Sequence, residues 1–176
     1  PEPSLTPEPP SASPGEEAAG DPPPAPSADV TEPVTVRIPA IELEATLVGL
    51  ALRDDGAMEV PDSGSAGWYI EGPKPGESGP AVIVSHRDAK GDGPDVFHRV
   101  SELVAGDEVT ITDHGGRDYT FTVERVEQHD KEALPVEAIW GPTDGPTLRL
   151  ITGGGDFDES VGRYVDNIIV YATAAR

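Results

Sequence analysis

The sequence predicts an all-β domain, either a sandwich or a barrel. Short runs of alternating apolar and polar residues recur along the chain, and turn signals rich in Gly, Pro and Asp separate them. Helical spacing of apolar residues is confined to a short stretch, residues 95–103. No repeat of fixed period is present, which argues against a solenoid or a propeller.

Residues 1–33 differ from the rest of the chain. They hold eleven of the twenty prolines, seven acidic residues and no Lys or Arg. Such a segment buries too little apolar surface to offset the entropy that ordering would cost. We therefore expect an acidic, Pro-rich, disordered stalk or linker over residues 1–33, followed by one β domain over residues 34–176.

The first half of the domain predicts short strands joined by turns. Residues 53–56 form a turn signal, and residues 71–80, with three glycines and three prolines, predict an irregular, exposed loop. The predicted strands of this half are 34–38, 43–47, 58–60, 68–70 and 81–85. The last of these is the most apolar, and it delivers His86 at its end.

The second half gives the clearest local prediction, a β-hairpin. Residues 107–112 and 119–126 alternate on either side of a turn at residues 113–116. A short helix or turn is expected before the hairpin, over 95–103, and a short helical piece after it, within 132–140. A strand at 147–152 then stops in three glycines, which predict a loop, and the predicted closing strand is 167–172.

The composition excludes several classes of function. A formal net charge of −21 argues against nucleic acid as a partner, because phosphate binding needs clustered Lys and Arg. The chain has no cysteine, so it has no disulfide, no thiolate metal site and no thiol chemistry. No apolar run approaches the length of a membrane span and no signal peptide is present, so we expect any targeting segment or transmembrane tether upstream of Pro1.

The candidate site residues each allow two interpretations. His86 is placed to move protons near neutral pH, or it is a half-buried histidine capped by Asp88. Arg163 is suited to hold an anion or a carbonyl oxygen, or it is an ordinary surface arginine. The four histidines lack the spacing of metal ligands, so no metal site is predicted from them.

An acidic cluster follows the three glycines. Asp156, Asp158 and Glu159 suit a hard cation such as calcium, or they are solvated loop charges. The glycine and the twelfth-position Glu of a helix–loop–helix calcium site are missing. Neither a helix nor a Lys follows the glycines, which argues against a phosphate-binding loop.

Eight motifs, in this order along the chain, resemble those of one enzyme family. They are VRIPAI (36–41), MEVP (58–61), AGWY (66–69), GPAVIVSH (79–86), VFHR (96–99), AGDEV (105–109), LRLIT with GGDFD (148–158) and YVDNIIVY (164–171). Together they resemble sortases, most closely the class F sortases of actinobacteria. The resemblance covers roughly residues 34–172.

The resemblance implies a fold and an activity. The fold is a closed eight-stranded β-barrel with one or two short helices. The activity is that of a cysteine transpeptidase that cleaves a sorting-signal peptide after Thr, forms a thioester, and passes the protein to a cell-wall or other amine acceptor. It implies no cofactor. It also implies a place on the extracellular face of the membrane or in the cell wall, with a tether upstream of the chain.

The resemblance also assigns the site residues. The family's histidine matches His86, and the nearest match to its arginine is Arg163, with Val165 as the other position. The family's cysteine position is Gly153. The residues around it, Thr152, Gly154 and Gly155, are the predicted substrate-binding residues.

Without a sulfur nucleophile we expect no transpeptidation. Two origins fit a glycine at this position, a deliberate replacement and a natural pseudoenzyme. The alternatives to an inactive transpeptidase domain are a non-catalytic module that binds sorting-signal peptides or wall fragments, and a structural or cation-binding surface domain.

Overall fold

The computed structural model describes residues 30–56, 58–89 and 93–175. Residues 1–29 of the predicted stalk therefore lie outside the described part of the chain. The strands are β1 (Pro33–Ile38), β2 (Leu43–Leu50), β3 (Ala66–Tyr69), β4 (Gly79–Val84), β5 (Asp88–Ala89), β6 (Gly93–Pro94), β7 (Glu108–Asp113), β8 (Asp118–Asp130), β9 (Pro146–Asp158) and β10 (Arg163–Ala174).

Eight of these strands close into a barrel in the order β1-β2-β3-β4-β9-β10-β8-β7, which confirms the predicted fold. The two short strands β5 and β6 pair only with each other. Among the described residues, the helical segments are three 3₁₀ helices, at Pro39–Ile41, Val100–Glu102 and Lys131–Ala133, and one short α-helix, α1 (Val136–Trp140). Both helical predictions, near residue 100 and within 132–140, are confirmed.

Two strand pairs are parallel, β2 with β3 and β4 with β9, and the other barrel pairs are antiparallel. The predicted hairpin is β7–β8, with Thr112 paired to Asp118 across the turn. The parallel β4–β9 pair matters most for function. It brings the carboxyl ends of two strands that are distant in sequence to the same edge of the sheet.

The core follows from strand alternation, since successive side chains point to opposite faces. One cluster fills the barrel, and its fully buried members include Ile38, Ile83, Phe121 and Leu150. A smaller cluster lies on the outer face of β4, β9 and β10, under α1. It consists of Val82, Ile139, Ile169 and Tyr171.

The prediction that this strand stops at the three glycines was wrong, because β9 runs on to Asp158. Gly153 and Gly154 pair with Asn167 and Asp166 of β10. Pairing along the neighbouring strand overrides the weak strand propensity of glycine. β9 and β10 thus extend beyond the end of β4 as a hairpin arm, defined here as residues 153–167, of which Asp166 and Asn167 still pair with β8.

The strand predicted at residues 58–60 was also wrong. Met58 forms only an isolated bridge with Leu52, and the Glu59 N–H donates to the Ala51 carbonyl at 2.9 Å. A short apolar run before a proline has no neighbouring strand here to extend it.

The last residues of the predicted stalk lie against the barrel. The Thr31 N–H donates to Asp113 Oδ2 at 3.1 Å, and the His114 N–H donates to the Glu32 carbonyl at 2.8 Å. Val30 is buried and Pro33 is the first residue of β1. The packed domain therefore includes Val30–Pro33, four residues that composition alone assigned to the stalk.

Candidate functional site

The register of the parallel pair places His86 beside Gly153. The last β4–β9 pair is Val84 with Ile151, and the Ser85 N–H still donates to the Ile151 carbonyl at 3.2 Å. Two residues further along each chain are His86 and Gly153. Since neighbouring strands lie about 4.8 Å apart, the same register continued past Val84 sets the two residues side by side.

Both residues face the outer side of the sheet. Strand alternation sets His86 on the same face as Val82 and Val84, and Gly153 on the same face as Ile151. The side chains of Val82, Val84 and Ile151 pack in the outer cluster under α1. The structure therefore joins two of the three predicted catalytic positions on one surface.

The ring of His86 has a defined tautomer. Its Nε2 lies 2.8 Å from the Pro61 carbonyl oxygen. A carbonyl only accepts hydrogen bonds, so Nε2 carries the proton and, in the neutral ring, Nδ1 is left as a proton acceptor. The backbone is also held, because the Phe97 N–H donates to the His86 carbonyl at 3.0 Å. His86 is half-buried, as the structural alternative has it, but the recorded partner of the Asp88 carboxylate is the Tyr164 hydroxyl.

Gly153 itself is bordered by an aromatic ring. A Cβ built on Gly153 would lie 3.0 Å from Cδ2 and 3.2 Å from Cβ of Tyr164. That ring is held from three sides. Its hydroxyl donates to Asp88, the Arg87 Cζ lies 4.9 Å from its centroid, and Phe157 packs edge-on with centroids 5.1 Å apart. The hydrogen bond to Asp88 raises the pKa of Tyr164, so the ring remains neutral at physiological pH.

Arg163 is exposed and pairs with Asp158 across the hairpin arm. Its neighbour Tyr164 borders Gly153, and consecutive Cα atoms are about 3.8 Å apart, so the backbone of Arg163 lies within about 9 Å of the Gly153 Cβ position. Val165, the other position the resemblance suggests, lies at the β10 irregularity between Tyr164 and Asp166 and is 38% exposed.

The three predicted substrate-binding residues have different environments. Thr152 faces the barrel interior, is buried, and its Oγ1 has no hydrogen-bond partner among the described residues. A Cβ on Gly154 would meet Ile168 at 2.6 Å. Gly155 has a φ of +75°, and a Cβ there would collide with the Asp166 carboxylate. Packing therefore explains why residue 154 is a glycine, and backbone conformation explains why residue 155 is one.

The acidic cluster of the arm is not arranged as a cation site. Asp158 accepts from the Ser160 hydroxyl at 2.6 Å and from its N–H at 2.9 Å, and these bonds lower the pKa of Asp158. Within the described ranges, no group of three or more His, Asp or Glu side chains is placed to hold a metal ion. The cation-binding alternative therefore finds no set of ligands in this part of the molecule.

The short helix α1 lies over the outer face of the sheet that carries the site, a position that the sequence did not predict. The buried Arg149 donates from Nε to the Ala138 carbonyl at 3.1 Å, and the Trp140 ring packs edge-on against Tyr69 with centroids 5.3 Å apart. These contacts hold α1 over the outer face of β4 and β9. The sequence feature that could have indicated this contact is Arg149, a charged residue in an otherwise apolar strand.

The comparisons with known proteins identify the family and the fold. A sortase domain model matches residues 36–175, so the chain belongs to the sortase family. Sortases act on sorting-signal substrates, and membership indicates a role at the cell surface. No curated protein matches the chain. Over the part of the chain that the structure describes, no helix has both the length and the apolar character to cross a membrane.

Solved sortase structures share the fold. The complex of Streptococcus agalactiae sortase C1 with MTSET is similar with a TM-score of 0.63 at 18% identity, over 81% of this chain and 67% of that one. A lid mutant of Corynebacterium diphtheriae sortase A has a TM-score of 0.63 at 16% identity, over 84% of this chain and 72% of that one. Sortase C from Clostridium perfringens SM101 has a TM-score of 0.61 at 14% identity, over 84% of this chain and 72% of that one.

Proposed function

We propose that this domain is a class F-like member of the sortase family that binds sorting-signal peptides of surface proteins and does not turn them over. The observation that carries the proposal is Gly153, which lies beside His86 where the resemblance places the nucleophile. The whole chain contains no cysteine that could replace it. The class F assignment and the actinobacterial origin rest on the sequence motifs alone.

The missing atom removes the first covalent step. In the family reaction a thiolate attacks the Thr carbonyl of the peptide, the C–N bond to the next residue breaks, and a thioester forms. His86 retains a proton acceptor at Nδ1, but it has no thiol to act on. The Ser and Thr hydroxyls adjacent in sequence to His86 and Gly153 are buried, and Ser85 donates its own to the Ser65 carbonyl at 2.8 Å.

The surface next to His86 suits an extended, partly apolar peptide. Tyr69, Val84 and Ile151 are half-buried on the outer face of the sheet, and Ala138 of α1 packs against the same cluster. Trp140, at the end of α1, is 39% exposed. Apolar surface that is only partly covered supports peptide binding without any chemistry. The proposal includes a cell-surface location with a tether upstream of the chain.

The first test uses the unchanged chain with a Leu-Pro-x-Thr-Gly-type peptide and an amine. We expect no ligated product by mass spectrometry, while the amide signals of His86 and Gly153 shift when the peptide is titrated in an NMR experiment. Ligation by the unchanged chain would show that another nucleophile operates. A peptide that shifts no amide near His86 would remove the binding function.

The second test restores the sulfur. Gly153→Cys is expected to form a covalent adduct with the peptide, seen as an increase in protein mass, at a level at least about tenfold above Gly153→Ala. Gly153→Ala is the matched control because it adds the Cβ without the sulfur. Adding His86→Ala to Gly153→Cys should reduce the adduct again. A folded Gly153→Cys variant without adduct would mean that Gly153 is not the nucleophile position.

A further inference from the structure

The side chain of Tyr164 covers Gly153 on the outer face of the sheet. Its Cδ2 lies 3.0 Å, and its Cβ 3.2 Å, from the place where a Cβ on Gly153 would stand. From β10 the side chain reaches across Gly153 to the turn after β4, where its hydroxyl donates to the Asp88 carboxylate. The space directly over Gly153 is therefore filled by a side chain of the same molecule.

Three contacts hold the ring in this place. Besides the hydrogen bond to Asp88, the Cζ of Arg87 lies 4.9 Å from the ring centroid, and Phe157 packs edge-on with centroids 5.1 Å apart. Asp88 is fixed in turn by its pairing with Pro94. The Asp95 N–H donates to the Arg87 carbonyl at 2.9 Å. The turn after β4 thus gives the ring a fixed anchor.

Beyond Gly155 the hairpin arm is mostly exposed. Residues 156–157 and 159–163 are exposed, with Phe157 at 51% and Val161 at 58%. The β9–β10 ladder is also irregular between Tyr164 and Asp166. A segment with little buried surface and an interrupted ladder opens at a low cost in free energy. The closed position of the arm therefore depends strongly on the contacts of Tyr164.

We propose that Tyr164 is an autoinhibitory strap, a side chain that closes Gly153 to a peptide while its hydroxyl is bound to Asp88. This role rests on the proposed function, because it concerns the same peptide at the same position. The ring and a peptide cannot fill the same space over Gly153, so closure of the strap and binding of the peptide exclude each other. The apparent dissociation constant is then the intrinsic constant divided by the fraction of molecules in which the strap is open.

The first measurement needs no peptide and uses Gly153→Cys as a reporter of access. The rate of its alkylation by iodoacetamide at pH 8 is divided by the thiolate fraction, obtained from thiolate absorbance, so that a change in thiol pKa does not enter. Adding Tyr164→Phe removes the hydroxyl and keeps the ring. The corrected rate should rise about fivefold, because one hydrogen bond to a carboxylate no longer favours the closed strap. Adding Tyr164→Ala removes the ring and should raise the rate further.

The second measurement uses the chain with Gly153 and the same sorting-signal peptide. Tyr164→Phe and Asp88→Ala should each tighten binding about fivefold. The double variant should bind no more tightly than either single variant, because both changes remove the same hydrogen bond. Tyr119→Phe is the matched control and should leave binding unchanged, since its hydroxyl donates to Asp113 at 3.3 Å in the β7–β8 hairpin.

The outcomes separate the strap from the proposed function. A corrected alkylation rate that is equal with Tyr164, Phe and Ala at this position would overturn the strap. So would peptide binding that weakens or stays the same in Tyr164→Phe, or two single effects that add in the double variant, since these indicate packing and not a shared hydrogen bond. If no variant binds the peptide while the reporter thiol still becomes more accessible, the proposed function fails and the strap stands.

Discussion

The three consecutive glycines give a direct test of why Gly153 is a glycine. If packing or backbone strain requires it, any side chain there will destabilise the fold. If it is only the position that lost a nucleophile, a methyl group will be tolerated. Replacing each of Gly153, Gly154 and Gly155 by alanine separates the two explanations.

The structure gives a different cost for each variant. Gly155→Ala must hold an L-residue at φ +75° and displace the Asp166 carboxylate, for about 2–3 kcal/mol. Gly154→Ala presses on the buried Ile168 at 2.6 Å, an overpacking cost of about 1–3 kcal/mol. Gly153 has no positive φ, and its close contacts, 3.0 Å to Cδ2 and 3.2 Å to Cβ of the half-buried Tyr164, need to lengthen by a few tenths of an ångström.

Gly153→Ala also removes a glycine from a strand interior, which favours the folded state by roughly 0.5–1 kcal/mol. We therefore expect its free energy of unfolding to be within about 0.5 kcal/mol of the unchanged chain. Urea denaturation followed by circular dichroism measures all three variants. If Gly153→Ala lowers the free energy of unfolding as much as Gly155→Ala does, the fold requires a glycine at position 153. That result would refute the interpretation of Gly153 as an emptied nucleophile position.

Two further predictions concern the frame around the site. Burial would raise the pKa of Asp113, but N–H donors from Arg117 and Thr31 outweigh it and hold that pKa below its ordinary value of 3.8. The stabilisation is thus present above pH 4 and is lost as the pH falls through the folded-state pKa. Asp113→Asn should cost about 2 kcal/mol at pH 7, and its difference from the unchanged chain should shrink in acid denaturation curves below pH 4. A constant difference would rule out the charged carboxylate as the cause. Arg149→Ala should cost about 2–4 kcal/mol, since it leaves the Ala138 carbonyl unpaired and opens a cavity, and tryptophan fluorescence would report the loosening of α1. A cost below about 0.5 kcal/mol would mean that water replaces the guanidinium group without loss.

Local pattern was sufficient for the elements whose signals are local. The β7–β8 hairpin, the turn at residues 53–56 and the strand that ends at His86 follow from alternation and turn residues, and the structure contains all three. The closed barrel required the family resemblance, because alternation alone allowed a sandwich as well. The segment at residues 58–60 failed because a strand needs a neighbour, which the local sequence does not reveal.

The candidate site was predictable only in part, for the same reason. His86 was identified by its place at a strand end, and Gly153 by the motif around it. The contacts of Tyr164 with Asp88 and Arg87 join residues more than seventy positions apart, and no local pattern announces them. Arg163 was selected by spacing along the chain, whereas the register of the arm sets its distance from Gly153.

The sequence by itself determined the chemistry that is absent and the family to which the motifs point. A chain without cysteine has no thiolate, whatever its fold. Only the tertiary structure decided which residues share a surface, because the register of β4 against β9 sets His86 beside Gly153. It also decided which side chains surround Gly153, since the turn after β4 brings Arg87 over the Tyr164 ring that borders it. Distances between chain-distant residues depend on strand pairing, and strand pairing is a property of the folded chain.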